Sequence, residues 1–342
     1  MIDLLVVGGG PAGLATAIHG ARSGLDVVVC EPRPAPVDKA CGEGLMPAAV
    51  RALGSLDVSV SGQTLRGIRY VDAADGRHAE AVFRTGYGLG VRRTLLHEAL
   101  TARAALLGVP VVPHRVRRVT QHDGHVDADG MTARYLVAAD GLHSPTRRAL
   151  GLTVRPNPRR HLPRYGLRRH YAVEPWSDLV EVHWSAEGEA YVTPLGPRQV
   201  GVAILTSRHA SYDAQLADFP LLAHRLRGAL RTPVRGAGPL RQQACSRVAG
   251  RVLFVGDAAG YVDALTGEGV ALALASAEEL VRCLRQGRPQ AYERAWCRLS
   301  RTYRLLTGSL LWARSQPRLT PRITPAAARF PLVFQHAVNL LA

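Results

Sequence analysis

The chain has 342 residues, 47% of them hydrophobic, with 43 basic against 27 acidic side chains and a formal net charge of +16. That is enough apolar material for one large α/β domain or two interleaved ones, while no apolar run reaches the roughly 18 residues of a membrane span. The N-terminus lacks a signal peptide's basic and apolar regions, so a cytoplasmic location is expected. Five scattered cysteines, Cys30, Cys41, Cys245, Cys283 and Cys297, form no CxxC or CxxH pair. They predict neither a disulfide framework nor a metal site, and most read as small buried hydrophobes. Lys39 is the only lysine. The basic excess therefore reads as arginine spread over solvated faces, and with no nucleic-acid-binding pattern present, nucleic acid is not an expected partner. Peripheral contact with an anionic membrane is left open, and a positive field favours anionic ligands.

Ile2 to Val7, a glycine turn, a small-residue run over Leu14 to Ala21 and Val27 to Glu31 read as strand, turn, helix and strand. Continuous apolar strands mark a parallel sheet covered on both faces, a βαβ unit. From Leu65 to Phe83 short alternating runs flank Asp75-Gly76, a hairpin signal. Apolar residues at Leu95, Leu96, Ala99, Leu100 and Ala104 predict a helix over 93–107 with Gly108 as its C-cap. The segment 156–163 is Pro- and Arg-rich and reads as a linker. Three antiparallel strands are expected over Leu179–Ser185, Ala190–Leu195 and Gln199–Leu205, before Arg251 to Val255 resumes a buried parallel strand. A helix over 270–284 leads into an Arg-rich helical tail, whose last part, 317–342, suits either a closing helix or a partner surface. The cofactor layer is thus expected in the pieces 1–64, 86–155 and 241–284, a substrate-binding sheet in 65–85 and 156–240, and a C-terminal helical segment in 285–342.

Gly8-x-Gly10-x-x-Gly13 follows a strand and opens a helix, the arrangement that brings a backbone turn and a helix N-terminus against a pyrophosphate. Pro11 and Ala12 belong to the same turn. Glu31 ends the second strand, placed to accept from the hydroxyls of an adenosine ribose, and Arg33 stands two positions on. Two further motifs are Ala139-Asp140-Gly141 through Arg147, and Val255-Gly256-Asp257-Ala258-Ala259-Gly260. Together the three resemble the flavoprotein superfamily of the para-hydroxybenzoate hydroxylase and geranylgeranyl reductase type. The resemblance spans residues 1 to about 280. It implies an α/β fold: a Rossmann-type FAD-binding domain of the GR2 type with an interleaved antiparallel β-sheet substrate domain and a C-terminal helical tail. It implies FAD as cofactor and NADPH or NADH as reductant. Asp257 would hold the ribityl chain, Asp140 and Gly141 would lie on the pyrophosphate side, and Arg93, rather than Arg92, opens the R-x-x-L-x-x-x-L pattern of an FAD contact.

Two stretches resemble the geranylgeranyl reductase branch. Cys41-Gly42-Glu43-Gly44-Leu45-Met46-Pro47 matches the segment beside the isoalloxazine ring, and Gly260 through Val270, with Gly267, Glu268, Gly269 and Val270, matches the turn at the flavin's pyrimidine edge. Ala264 replaces a usual proline. That branch's Tyr-x-Trp-x-Phe-Pro segment reads Glu189-Ala190-Tyr191-Val192-Thr193-Pro194 here, which argues against a long prenyl tunnel. The halogenase branch's Trp-x-Trp-x-Ile-Pro segment is missing.

Hydroxylases of this superfamily leave the difficult chemistry to a flavin C4a-hydroperoxide, and the protein supplies position and charge. The expectation is an FAD-dependent, NAD(P)H-using monooxygenase acting on a small aromatic or polyketide-type metabolite. Alkene reduction on an isoprenoid is the alternative, and a non-enzymatic lipid or lipoprotein binder the second. Cys41 is weighed as proton donor or gate against close packing, and Glu43 as general acid or substrate contact against a turn or cap. Met46, Tyr191, Pro194 and His183 are candidates for the substrate pocket, although an outward, solvated His183 is the plainer expectation. His143 reads as a packing or capping residue. The arginines 155, 159, 160, 164, 168 and 169 suit either anion recognition or a solvated charged linker.

Overall fold

A computed structural model of the protein describes residues 1–154 and 162–342. Continuous apolar runs form β1 (Ile2–Val7) and β2 (Val27–Cys30), which pair in parallel with Leu4 opposite Val27 and Val7 opposite Cys30. Between them α1 (Pro11–Arg22) begins on proline, whose missing N–H costs nothing in a first turn. Its small residues let it lie close against the sheet. After α2 (Pro47–Ser55), β3 (Gly67–Asp72) and β4 (His78–Val82) make the expected hairpin, Gly67 opposite Val82. α3 (Arg93–Leu106) buries Leu96, His97, Leu100 and Ala104 along one face and stops before Gly108 at φ +73°. β5 (Met131–Ala138) then pairs in parallel with β1 on the side away from β2.

The chain next builds β6 (Tyr165–Tyr171), β7 (Leu179–Trp184), β8 (Gly188–Gly196) and β9 (Gln199–Thr206). With the strand Arg235–Ala237 they join β3 and β4 in a seven-stranded sheet, ordered Arg235–Ala237, β6, β9, β8, β7, β3, β4. All these pairings are antiparallel except β7 with β3. β10 (Val252–Phe254) returns to the first sheet, parallel to β5. The two sheets are therefore interleaved in sequence, and the first is completed only by a strand that follows the second.

α4 (Gly269–Arg285) packs against α1 and α2, and α5 (Ala291–Arg314), α6 (Ile323–Arg329) and α7 (Pro331–Leu341) form a C-terminal layer. α7 closes an edge. Its Phe334 and Val338 pack on Ala79 and Ala81 of β4, while Gln335 and Asn339 accept from the backbone N–H groups of Val82 and Arg84 at 3.1 and 2.7 Å. Those groups would otherwise be an open strand edge.

Several expectations are corrected. Arg155, Arg159, Arg160 and most of the expected linker lie outside the described residues. Arg164, Arg168 and Arg169 do not form a solvated run: Arg168 is 2% exposed within β6, and Arg164 is clasped by Glu189 and Asp263 at 2.6 and 3.0 Å. His183 is buried and pairs with Glu181 Oε2 at 3.0 Å, because β7 is covered on both faces. His143 is exposed, and its neighbour Ser144 caps the following turn by accepting from the Arg147 N–H. Cys30 and Cys283 are buried, but Cys245 and Cys297 are exposed.

Candidate active site

The glycine turn after β1 is tight enough to exclude side chains: a Cβ on Gly13 would lie 1.9 Å from the Gly8 carbonyl oxygen, and one on Gly8 would lie 2.4 Å from that of Ala139. Gly10 caps α1 without a side-chain hydrogen bond, and no acid stands in the first turn with Pro11 and Ala12. The positive end of this helix is left for an anion. Glu31 is buried beside it and accepts from the Gly9 N–H at 2.9 Å. Arg33 grips Glu31 by two side-chain bonds of 2.7 Å and one backbone bond. Burial works against the Glu31 charge, but Arg33 and the Gly9 N–H outweigh it and hold the carboxyl below its ordinary range.

Further along, charges converge from four distant segments. The Arg93 guanidinium approaches Gly10, with 3.8 Å between Nη2 and a Cβ built there, and Lys39 Nζ lies 3.1 Å from one built on Gly141. Burial lowers the pKa of both cations, and each feels the Asp257 carboxylate. Burial raises Asp257, against the pull of Lys39, Arg93 and Arg147. Among the described residues no donor hydrogen-bonds its carboxylate. Asp140 Oδ2 accepts from Thr146, while among the described residues its buried Oδ1 has no partner, nor has Nε2 of His97, one turn beyond Arg93. Arg147 is fully buried and donates to the carbonyls of Leu142, Asp257 and Ala258, tying the Asp-Gly motif to the Gly256-Asp257 motif.

At the far end α4 opens at Gly269 and Val270, again with no side-chain cap and no acid in its first turn. Glu268 precedes it with a buried Oε1 that has no partner among the described residues, and burial pushes its carboxyl up to about 8. A Cβ on Gly267 would meet the Met46 methyl at 3.8 Å. Cys41 keeps part of its surface open, and burial, against the charge of Arg93, pushes its thiol up. The Glu43 N–H reaches Cys41 Sγ at 3.4 Å. Glu43 is strained at φ +59° and buried, its Oε1 accepting from the Arg93 N–H at 2.8 Å and its Oε2 facing His170 Nε2.

The sheet supplies the opposite wall. Val182 stands opposite Tyr191, and Tyr191 and Thr193 share a face with Arg168 and His170, whose cross-strand partners are Ala203 and Gly201. Tyr191 donates to the Leu265 carbonyl at 2.6 Å and packs near Met46 and Val180, while Pro194 approaches Gly90 by its carbonyl. His183 stands opposite Ala190, on the other face, beneath the helices Tyr212–Leu216 and Pro220–Arg225. It does not share the pocket wall with Tyr191.

Two uncapped helix N-termini, a turn open only to glycine and orphaned polar atoms on Asp140, His97 and Glu268 form a run of sites for a long, anionic, hydroxyl-bearing ligand. FAD fits that donor set. A model of the family described as FAD binding domain matches residues 1–198. The chain belongs to this family and is an FAD-dependent oxidoreductase. It is 30% identical to a menaquinone reductase of Mycolicibacterium smegmatis over 86% of this chain and 79% of the relative. It is 28% identical to digeranylgeranylglycerophospholipid reductase 1 of Methanopyrus kandleri, over 80% and 77%. A solved geranylgeranyl bacteriochlorophyll reductase-like protein of Thermoplasma acidophilum shares the fold, with TM-score 0.80, 21% identity and coverage of 100% and 93%.

The structure brings Gly8–Gly13, Glu31, Arg93, Asp140 and Asp257 to one cleft, together with Lys39, His97 and His170, which sequence reading did not single out for it. His97 carried a local signal, four positions beyond Arg93 on the same helix face. The others reach the site only through tertiary packing.

Proposed function

We propose that the protein is a reductase that adds hydrogen across a carbon–carbon double bond of an isoprenoid or related lipophilic substrate, drawing its electrons from NADPH or NADH through FAD. The observation that carries this reading is the Cys41 thiol, partly open in the cleft and kept protonated by burial, with donors around it. The names of the curated relatives support it.

In this reading Gly8, Gly10 and Gly13, with Pro11 and Ala12 at the start of α1, would hold the pyrophosphate. Glu31 would hold the adenosine ribose, with Arg33 at its edge. Arg93, Asp140 and Gly141 would flank the phosphates, Asp257 after Gly256 would take the ribityl hydroxyls, and Gly267, Glu268, Gly269 and Val270 would meet the pyrimidine edge. Bound FAD supplies two-electron hydride chemistry.

Saturating an alkene requires a hydride on one carbon and a proton on the other. Cys41 would hold the proton. The thiolate left behind is steadied by the Glu43 N–H at 3.4 Å and by the charges of Arg93 and Arg168. Met46, Tyr191 and Pro194 would bound the substrate space, and Tyr191, its hydroxyl engaged by Leu265, offers a ring rather than a donor. His183, on the opposite sheet face, is not part of this pocket.

Monooxygenation of a small aromatic or polyketide-type metabolite is the second reading, favoured by the missing Trp at position 191. A non-enzymatic lipid binder is disfavoured by Asp257, a half-buried carboxylate with no hydrogen-bond donor among the described residues.

The deciding experiment is anaerobic. Photoreduced, FAD-loaded protein is mixed with polyprenyl alkenes, following flavin reoxidation and product mass. Gain of two hydrogens supports the proposal, and Cys41→Ser should slow reoxidation on the order of a hundredfold. No anaerobic conversion, with an oxygen-dependent hydroxylated product instead, would overturn it.

A further inference from the structure

From Arg294 to Ala342 the sequence holds eight arginines and no aspartate or glutamate. Several of these cations are engaged: Arg314 pairs with buried Glu189, Arg298 approaches Glu279, and Arg304 lies over Trp296. Arg318, Arg322 and Arg329, at the corner joining α5, α6 and α7, are exposed, with no ion pair among the described residues. Around the same corner large apolar side chains also face outward: Trp312 is 62% exposed, Phe330 60%, Leu332 77% and Val333 67%.

Unpaired cations alone would suit any polyanion. Cations interleaved with an exposed tryptophan, a phenylalanine and two aliphatic side chains suit a headgroup boundary, where the apolar groups sink and the arginines stay at the phosphates. Nucleic acid would leave the leucine and valine without contact.

A second observation points the same way. A cavity of about 1050 Å³ lies between the sheet and the end of α5, and Leu162, Trp312, Pro317 and Pro321 are among its lining residues. It extends inward to Val262 and Asp263, in the segment that leads to Gly267. The cavity thus shares Trp312 with the basic, apolar corner.

We propose that this corner docks on an anionic lipid surface and turns that cavity toward the bilayer. Docking follows from surface chemistry and is independent of the reaction assigned above.

The test is sedimentation of the FAD-loaded protein with vesicles of phosphatidylcholine alone or mixed with phosphatidylglycerol. Binding is expected to the anionic vesicles, to weaken with salt, and to fall roughly a hundredfold in an Arg318→Gln, Arg322→Gln, Arg329→Gln variant. A separate Leu332→Ser, Val333→Ser variant should also bind more weakly at high salt, where insertion dominates. Both variants should keep bound flavin and the wild-type melting temperature, which separates lost docking from misfolding. Equal binding to both vesicle types, or to neither, overturns the proposal. So does a dimer in light scattering that the Leu332/Val333 variant dissociates, since the corner would then be covered by a second copy.

Discussion

Glu43 Oε2 lies 2.5 Å from His170 Nε2, with both side chains 1% exposed. His170 Nδ1 faces Arg168 Nη1 at 3.1 Å, and a guanidinium only donates. Nδ1 is therefore the acceptor, and the ring N–H on Nε2 points at Glu43. This bond fastens the Cys41 loop to the sheet wall. His170→Ala should cost about 2 kcal/mol by leaving a buried carboxylate oxygen unsatisfied, measured by denaturant unfolding of the FAD-loaded protein. His170→Gln, which retains an N–H donor, should recover part of the loss.

Arg33 occupies the Glu31 carboxylate that the ribose would use, and its side chain is 40% exposed, free to swing outward. Removing it takes away a cation but also a competitor. Arg33→Ala should leave FAD affinity within roughly threefold, whereas Glu31→Gln should weaken it about tenfold or more. Fluorescence titration of the FAD-free protein distinguishes the two.

Asp257 carries opposite expectations for binding and for stability. Without a ligand its half-buried carboxylate has no protein donor among the described residues, and burial raises its pKa, so Asp257→Ala should raise the melting temperature of the FAD-free protein. The same change should weaken FAD binding by roughly tenfold to a hundredfold, the worth of a charged hydrogen bond. Equal losses in both measurements would mean a structural role.

Glu268 makes stability pH-dependent. Its folded carboxyl titrates at about 8 because of burial, against an ordinary 4.5 when unfolded. Between those values the folded chain binds the extra proton, so stability falls as pH rises from 4.5 and levels off above 8. Glu268→Gln removes this slope. In the FAD-free protein its advantage over wild type should be small at pH 5 and grow to on the order of 3 kcal/mol by pH 8. Paired urea curves at the two pH values measure it.

The cofactor layer was legible because its signals are local: β1, the Gly8–Gly13 turn and Glu31 stand within one βαβ unit, and β5 and β10 are continuous apolar runs ending in their motifs. The sheet strands at 179–206 were equally readable from their turns. What failed were inferences about environment. Reading His183 as solvated assumed one wet face, yet β7 is covered on one side by the helices over 212–225 and on the other by the C-terminal layer. The Pro/Arg-rich text near Arg164 resembled a linker, but Arg164 and Arg168 find Glu189, Asp263 and Asp38 from remote segments. Glu43 and His170 are 127 positions apart, and no periodicity links them.

β10 completes the first sheet beside β5, and Arg147 locks onto the carbonyls of Asp257 and Ala258. A ribosome must therefore have made about three quarters of this protein before the pocket for the flavin can close. Until then the emerging chain has the glycine turn and the sheet wall but neither Asp257 nor the N-terminus of α4, so cofactor capture is a late event in its biosynthesis. Chains interrupted before residue 252 would emerge colourless.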